Sequence, residues 1–459
     1  MRREVHVMPR INKVLIANRG EIAVRIIRTL KKLGIRSVAI YSDADSGAIH
    51  VKIADEAYNI GPPNPLKSYL NVEAMIEVAK RSNVDAVHPG YGFLAENYKF
   101  AKAVEDLGII WIGPPSKVME KLESKTFLRS AAAKVGVPVV PGSLRPITKE
   151  EVMEIAKKIG FPVLLKADKG GGGKGIRKVN SPEELNTLFE TASREALIAF
   201  GSDELYVEKY LERPRHIEVQ VLMDQHGNIV TLGERECSLQ RRYQKIIEEA
   251  PSPVVNKETR KYISQLATLM VREVGCVNAC TVEFLRDMAG NFYLSEINKR
   301  IQVEHPVTEI VTGIDIVEWQ VRIASGEQLS LKNVEEFGGH AIEARVYAED
   351  PDNNFMPSPG VIVDLRIPER KEVRVDHALE IGTRIPPYYD PLIAKVIAYG
   401  RTRLEATHNL ANALEEFKIQ GIKTSIPFLL KLLRSEEFIS GEIDTQLVER
   451  KYLVREKNR

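Results

Sequence analysis

Two short apolar runs, NKVLIAN (12–18) and RSVAIYS (36–42), flank a stretch where Ala23, Ile26, Ile27, Leu30 and Leu33 recur at helical spacing before Gly34. A strand, a helix and a second strand in that order make a βαβ unit. Its strands are parallel and its crossover right-handed, so the chain is committed at its start to a doubly wound α/β sheet. The turn after the first run, NRGEIA, offers one glycine, so the G-x-G-x-x-G signature of a dinucleotide site is missing. Further on, DAVHPGYGFLAEN (85–97) reads as a strand ending in a glycine-rich turn. Strand ends of open α/β sheets face ligands, and a tight turn alone accounts for the pattern equally well.

The 459 residues are enough for two or three domains. The first, 1–114, closes near Gly113-Pro114-Pro115, and a helical linker, 115–139, follows. Residues 140–211 hold strand PVLLKA, a glycine loop, an amphipathic helix and strand ELYVEKYL, which together suit a small mobile lid. The remaining segments, 212–335 and 336–459, mix strands and helices. One helix is expected from Lys257 to Val274, with Ile263, Leu266, Ala267, Met270 and Val274 inward and Gly275 after it. Another is expected from Arg403 to Phe417, with Leu404, Ala411, Leu414 and Phe417 inward and His408 packed.

A net charge of +2 gives no reason for a nucleic-acid or membrane partner, and no apolar run reaches the length of a bilayer span. The start, MRREVHVMPR, is basic but lacks the apolar core of a signal peptide, and Met8 is an alternative first residue. Cys237, Cys276 and Cys280 are too few for a disulfide framework and lack the neighbours of a zinc site. They read as buried reduced thiols, and a cytoplasmic location is expected.

The chemistry-bearing stretches lie in the second half. CTVEFLRDMAGNFYLSEIN (280–298) reads as a hairpin, and a turn centred on Ala289-Gly290 sets Glu283 opposite Glu296. Like charges facing each other across a ladder repel, so either both are solvated or a cation sits between them. The apolar neighbours Phe284, Leu285, Tyr293, Leu294 and Ile297 favour the cation, and the Asn298 amide adds a third hard oxygen of the kind Mg²⁺ takes. In an extended chain Glu296, Asn298, Arg300, Gln302 and Glu304 share one face, while Ile297, Ile301 and Val303 share the other. PVLLKADKGGGGKGIRKV (162–179) sets Lys166 at a strand end, then Gly170 to Gly173 and Lys174. Such a loop brings backbone N–H groups and lysines to phosphates. Gly175 stands where a Walker A loop needs Ser or Thr, and a flexible linker is the plainer alternative. In RRYQKIIEEAPSP (241–253), Arg241, Arg242 and Lys245 precede Glu248 and Glu249, most simply a solvated face.

In order along the chain, HPGYGFLAEN, KADKGGGGKG, VEKYLERPRHIEVQ, ERECSLQRRYQKIIEEAPSP, EINKRIQVEHPVTE, GHAIEARVYAEDP, FMPSPG and PPYYDPLIAKVI resemble biotin carboxylase. That is an ATP-grasp family found in acetyl-CoA, propionyl-CoA and pyruvate carboxylases. The resemblance runs from about Ile11 to Leu453. It implies an ATP-grasp core at 212–335 and a C-terminal biotin carboxylase domain at 336–459. It also implies a reaction in which ATP and bicarbonate form carboxyphosphate, which then carboxylates N1′ of carrier-bound biotin. By position, Glu283, Glu296 and Asn298 would hold Mg²⁺ or Mn²⁺. Lys125, Lys166, Gly171, Gly172, Glu208, Lys209, Tyr210, Leu211, His216, Gln240, Tyr243 and Leu285 would contact ATP. Lys245, Arg300, Gln302 and Val303 would hold bicarbonate, with Glu304 as its base. Arg345 would stabilise the biotin enolate and Tyr91 would lie near the biotin ring.

The chain departs from the family pattern at Tyr243, often histidine; at Lys169, Asn278 and Cys280, which replace glycines; and at Lys299, commonly threonine. It ends in a charged tail, KYLVREKNR, without a Met-Lys-Met biotin attachment site. A separate subunit is therefore expected, homodimeric as the family commonly is, acting on a biotinylated carrier and an associated carboxyltransferase. The competing readings are another ATP-grasp ligase, of carbamoyl-phosphate or purine-pathway type, and an inactive regulatory subunit.

Overall fold

In the computed structural model, which describes residues 11–170 and 175–453, the βαβ start grows into a five-stranded parallel sheet. Its strands are β1 (Lys13–Ile16), β2 (Arg36–Tyr41), β3 (Glu56–Asn59), β4 (Ala86–His88) and β5 (Ile110–Trp111), in the order β3-β2-β1-β4-β5. Val14 and Ile16 enter one core with Ile22, Ile26 and Leu30 of the helix Gly20–Lys32. Leu15 and Ala17 enter another with Met75, Val78, Phe100 and Val104. Both faces are covered, so the strand reads as an unbroken apolar run. The strand order reverses between β1 and β4. There Asn18 Nδ2 donates to the carbonyls of Pro89 and Tyr91, at 2.8 and 2.7 Å. Gly90 lies at φ +62, and a Cβ on it would meet Asn18 Nδ2 at 2.9 Å, so the turn after β4 needs its glycine. The HPGYGF turn is thereby pinned at the switch point, where such sheets bind ligands.

A second, smaller sheet holds β6 (Val163–Ala167), β7 (Ile176–Val179) and β8 (Leu205–Lys209), antiparallel in the order β7-β6-β8. Val163, Leu165 and Ala167 pack with Val152, Ala156, Leu185 and Phe189 of two helices into a core of their own. Leu164 and Lys166 take the opposite parity. The loop glycines Gly171 and Gly172, and the alternative start Met8, lie outside the described residues.

The third sheet has eight strands: β9 (Arg215–Met223), β10 (Ile229–Arg241), β11 (Gln244–Ala250), β12 (Asn278–Arg286), β13 (Phe292–Asn298), β14 (His340–Tyr347), β15 (Val373–His377) and β16 (Leu392–Gly400). Their order is β13-β12-β9-β10-β11-β14-β16-β15. The pairing of β11 with β14 makes the segments 212–335 and 336–459 share one sheet.

The helix Lys257–Val274 has the expected bounds. Asn256 caps it by accepting from the Thr259 N–H, and Gly275, at φ +71, ends it. The helix Arg403–Glu416 buries Ala411 and Leu414, with Phe417 just beyond, but Leu404 is 54% exposed and His408 is exposed as well. The two stand one turn apart on the outer face, correcting the inward placement of Leu404 and the packed His408. All three cysteines are buried and unpaired. Among the described residues no helix is long and apolar enough to cross a membrane.

Candidate active site

A cleft of about 1040 Å³ is lined by residues of the second and third sheets and of the segments that follow β1 and β4 of the first. Its floor begins at the hairpin β12–β13, where Glu283 does face Glu296. The turn runs one residue out of the expected register: Arg286 pairs with Phe292, and Leu285 with Tyr293. An irregularity beside Ser295 then shifts the ladder back, so Glu283 meets Glu296 through a bulge. Next along the sheet, Glu283 pairs with Glu218 on β9, and Glu218 with Arg235 on β10. Three carboxylates and a guanidinium therefore stand in line across four strands.

Such a row is costly unless cations enter it. Lys245 Nζ, from β11, lies 2.6 Å from Glu218, 2.8 Å from Glu283 and 2.7 Å from Glu304. Burial opposes its charge, but the three carboxylates hold its pKa well above the ordinary lysine range. Arg235 Nε reaches Glu218 at 2.5 Å, and His216 Nε2 lies 2.9 Å from Glu283. Against the cost of burial, Lys245 and His216 keep Glu283 well below the usual carboxylate range. Glu296 behaves oppositely. Burial first, then Glu283 and Glu96, push it up to about 7. Among the described residues no cationic side chain forms an ion pair with it. Two opposed acids, one undercompensated, with the Asn298 amide beside them form a donor set that fits a Mg²⁺ or Mn²⁺ ion. Asn298 Nδ2 already donates to Glu283 at 2.8 Å, which fixes its orientation.

The polar row beyond Asn298 does not continue as one extended element. Strand β13 ends there, residues 299–304 are irregular, and Glu304 is the N-cap residue of the helix His305–Thr312. Only Glu296 and Asn298 share the strand face. Lys299 does point away from the cleft, its Nζ donating to the Met119 carbonyl at 3.1 Å. Arg300 donates to Gln302 Oε1 at 2.6 Å, and Gln302 Nε2 to Glu283 at 3.1 Å. Arg300, Gln302, Val303, Arg345 and Tyr91 line the cleft. Glu304 does not. It is fully buried behind Lys245 and Arg345, whose Nη2 lies 3.0 Å from it. Burial would raise its pKa, but Lys245, Arg345 and Arg235 together hold it far below the usual range.

At the other end Lys125, Lys166, Glu208, Lys209, Tyr210, Leu211, His216, Gln240 and Leu285 all line the same cleft. Glu208 joins Lys166 and Arg129, each at 3.0 Å. Gln240 Nε2 lies 2.9 Å from His216 Nδ1. Arg242 and Tyr243 form the two-residue turn between β10 and β11, both at positive φ, as a type I′ turn requires. The Tyr243 ring is 69% exposed at the cleft mouth. The RRYQKIIEE run is not a solvated face. Arg241 is buried against Glu349 at 2.6 Å, Glu248 and Glu249 are buried, and only the residues around the turn face solvent.

Sequence reasoning missed Glu218 and Arg235, and the wall formed by Thr445, Gln446 and Glu449. A signal for Glu218 existed: HIEVQV alternates His216, Glu218 and Gln220 with apolar residues. The C-terminal wall left none. Asn278 sits at φ +76, where asparagine is among the best-tolerated residues other than glycine.

Three family profiles match the chain. The biotin carboxylase N-terminal domain covers residues 10–119, the carbamoyl-phosphate synthase L chain ATP-binding domain 124–332, and the biotin carboxylase C-terminal domain 343–450. Biotin carboxylase 1 of Bacillus subtilis is 51% identical over 442 residues, which are 96% of this chain and 98% of that protein. The biotin carboxylase domain dimer of Hydrogenobacter thermophilus 2-oxoglutarate carboxylase, crystallised with MgADP, ADP and bicarbonate, is 49% identical. It superposes with a TM-score of 0.92 over 96% of this chain and 97% of its own. Campylobacter jejuni biotin carboxylase in its β,γ-ATP complex is 40% identical, with a TM-score of 0.93 over 96% and 99% of the two chains.

Proposed function

The chain belongs to the biotin carboxylase family, and we propose that it uses ATP and bicarbonate to carboxylate N1′ of biotin through carboxyphosphate. A bicarbonate oxygen attacks the γ-phosphorus of ATP, the bond to the β-bridging oxygen breaks, ADP leaves, and the bicarbonate proton passes to Glu304. The C–O bond of carboxyphosphate then breaks, its carboxyl group passes to N1′, and the departing inorganic phosphate takes the N1′ proton.

The observation that carries this reading is the convergence of Lys245 on Glu218, Glu283 and Glu304. One ammonium touches both the proposed metal ligand and the proposed base, so nucleotide and bicarbonate would meet around it. Lys245, Arg300, Gln302 and Val303 bind the anion, whose developing charge needs fixed positive groups. Glu304 is a weak base while both cations rest on it. It gains basicity as Lys245 and Arg345 turn to bicarbonate and its products. Lys125, Lys166, Glu208, Lys209, Tyr210, Leu211, His216, Gln240 and Leu285, with Gly171, Gly172 and Tyr243, bind ATP. Arg345 stabilises the biotin enolate beside Tyr91. Glu283, Glu296 and Asn298 would hold Mg²⁺ or Mn²⁺, which when bound offsets phosphate charge during phosphoryl transfer.

Tyr91 and Arg345 lie in the stretches matched by biotin carboxylase profiles, on either side of the carbamoyl-phosphate-type match, which favours biotin over the substrates of other ATP-grasp ligases. The proposed units are 1–114, a linker 115–139, a lid 140–211, an ATP-grasp core 212–335 and a C-terminal domain 336–459. The proposed partners are a biotinylated carrier and a carboxyltransferase, with this chain homodimeric and cytoplasmic. The three buried, unpaired thiols support the last point.

The test is ATP cleavage by the purified chain with free biotin and bicarbonate. Cleavage should require biotin and rise with bicarbonate, and a rate indifferent to both would overturn the reading. Glu296→Gln removes one proposed ligand charge. Activity should then need a higher Mg²⁺ concentration, roughly tenfold or more, as loss of a metal-shell group commonly demands. A superimposable Mg²⁺ curve would remove Glu296 from the ligand set.

A further inference from the structure

The anion cradle at 299–304 belongs to no ladder and no helix, so its backbone must be held by something else. Three successive carbonyls are each taken by a side chain. Arg300 Nη1 donates to Ile301 O at 3.2 Å, His305 Nδ1 lies 2.7 Å from Gln302 O, and Lys395 Nζ donates to Val303 O at 2.9 Å. In a trans peptide the C=O and the next N–H point opposite ways. Anchoring the carbonyls at 302 and 303 therefore aims the N–H groups of Val303 and Glu304.

Lys395 comes from far away in sequence. It is fully buried on β16, opposite Arg345 on β14 and Asp376 on β15. Its ammonium lies 3.3 Å from Glu21, 3.9 Å from Asp376 and 5.7 Å from the Tyr91 ring centre. Glu21 sits in the first turn of the helix after β1 and lines the cleft; among the described residues neither of its buried oxygens has a hydrogen bond, and Lys395 is its ion-pair partner. Burial, only partly offset by Lys395, pushes it up to about 7. A lysine buried this deeply must have a use for its charge or its donors.

We propose that Lys395, held by Glu21, is a positioning residue for bicarbonate: it locks the Val303 carbonyl and so ties the aim of the cradle to the contact between the parallel sheet and β16. This rests on the functional reading above for the identity of the anion. Neither residue makes a hydrogen bond or ion pair with the proposed nucleotide-binding side chains, so the ATP KM should be spared.

The test uses the full chain with Lys395→Met, Lys395→Gln and Glu21→Gln. It follows KM for bicarbonate, KM for ATP, and the ¹³C line width of labelled bicarbonate with MgADP present. Lys395→Met should raise the bicarbonate KM about tenfold or more, the size expected for losing a charge-assisted hydrogen bond. The ATP KM should stay within about twofold, a shift worth less than one ordinary hydrogen bond. Lys395→Gln, which still has a donor for Val303 O, should recover most of the loss. Glu21→Gln keeps the shape of the site and should raise the bicarbonate KM about threefold, a weaker version of the same loss. It carries the test if Lys395→Met fails to fold. The proposal is overturned if both KM values rise together, or if bicarbonate binds the folded variants as it binds the unchanged protein. Line broadening that is lost in Lys395→Met supports it even without biotin turnover, in which case only the functional reading fails.

Discussion

Replacing Lys245 by methionine is expected to cut biotin carboxylation by on the order of 10²–10³ or more, the range found for removing one charge-stabilising donor from an active site. Its Nζ is the shared partner of Glu218, Glu283 and Glu304, at 2.6, 2.8 and 2.7 Å. Without it, burial and mutual repulsion push those acids toward their protonated forms, and the proposed base and metal ligand lose the ammonium that lies against both. Lys245→Arg should rescue little, because three carboxylates converge on one point and a planar fork cannot meet all three. Steady-state rates at saturating ATP, with folding checked by circular dichroism, decide it. Activity within tenfold of the unchanged protein would show that the ammonium is not the hub of the site.

The largest expected loss of stability is at Arg235. It is fully buried and donates to Glu218 at 2.5 Å, to Gln220 at 2.8 Å, to Thr308 at 3.0 Å and to Thr281 at 3.1 Å. One guanidinium thereby joins β9, β10, β12 and the helix His305–Thr312. Arg235→Met leaves Glu218 without its guanidinium and three polar groups without a donor, which should cost about 3–5 kcal/mol, the usual penalty for breaking a buried ion pair from one side. Urea unfolding should show the midpoint falling accordingly. Arg401→Met is the control. Arg401 is 85% exposed, and its pair with Glu405 should be worth less than about 1 kcal/mol. Equal shifts for the two variants would contradict the ranking.

Local patterns were legible from residues alone. The helix Lys257–Val274 could be read from its apolar spacing and its caps, and the parallel sheet from NKVLIAN and RSVAIYS. The Glu283–Glu296 pair was legible too, but the symmetric turn that suggested it does not occur, and a bulge beside Ser295 restores the register. Bulges have no simple sequence signature, so that agreement owed something to chance. Parity sent Lys299 outward correctly, yet Arg300, Gln302 and Glu304 do not continue the strand face, because β13 ends at Asn298 and an irregular stretch leads into the helix His305–Thr312. What stayed hidden was non-local. The neutralising partners of the carboxylate row, Lys245 and Arg235, sit on other strands, and only sheet order brings them together. The same holds for Lys395 beneath Val303. The RRYQKIIEE run looked solvated for that reason: a charge run read without its partners looks like a surface.

Bicarbonate, held beside Lys245, is the proposed nucleophile that takes the γ-phosphoryl group. Turnover with bicarbonate labelled with ¹⁸O in every oxygen reads this directly, by ³¹P NMR of the phosphate released. If carboxyphosphate forms, its bridging oxygen came from bicarbonate and stays with phosphorus, so each phosphate released with biotin present should carry one ¹⁸O. Unlabelled phosphate appearing at the biotin-dependent rate would mean that water, not bicarbonate, attacks ATP in this cleft.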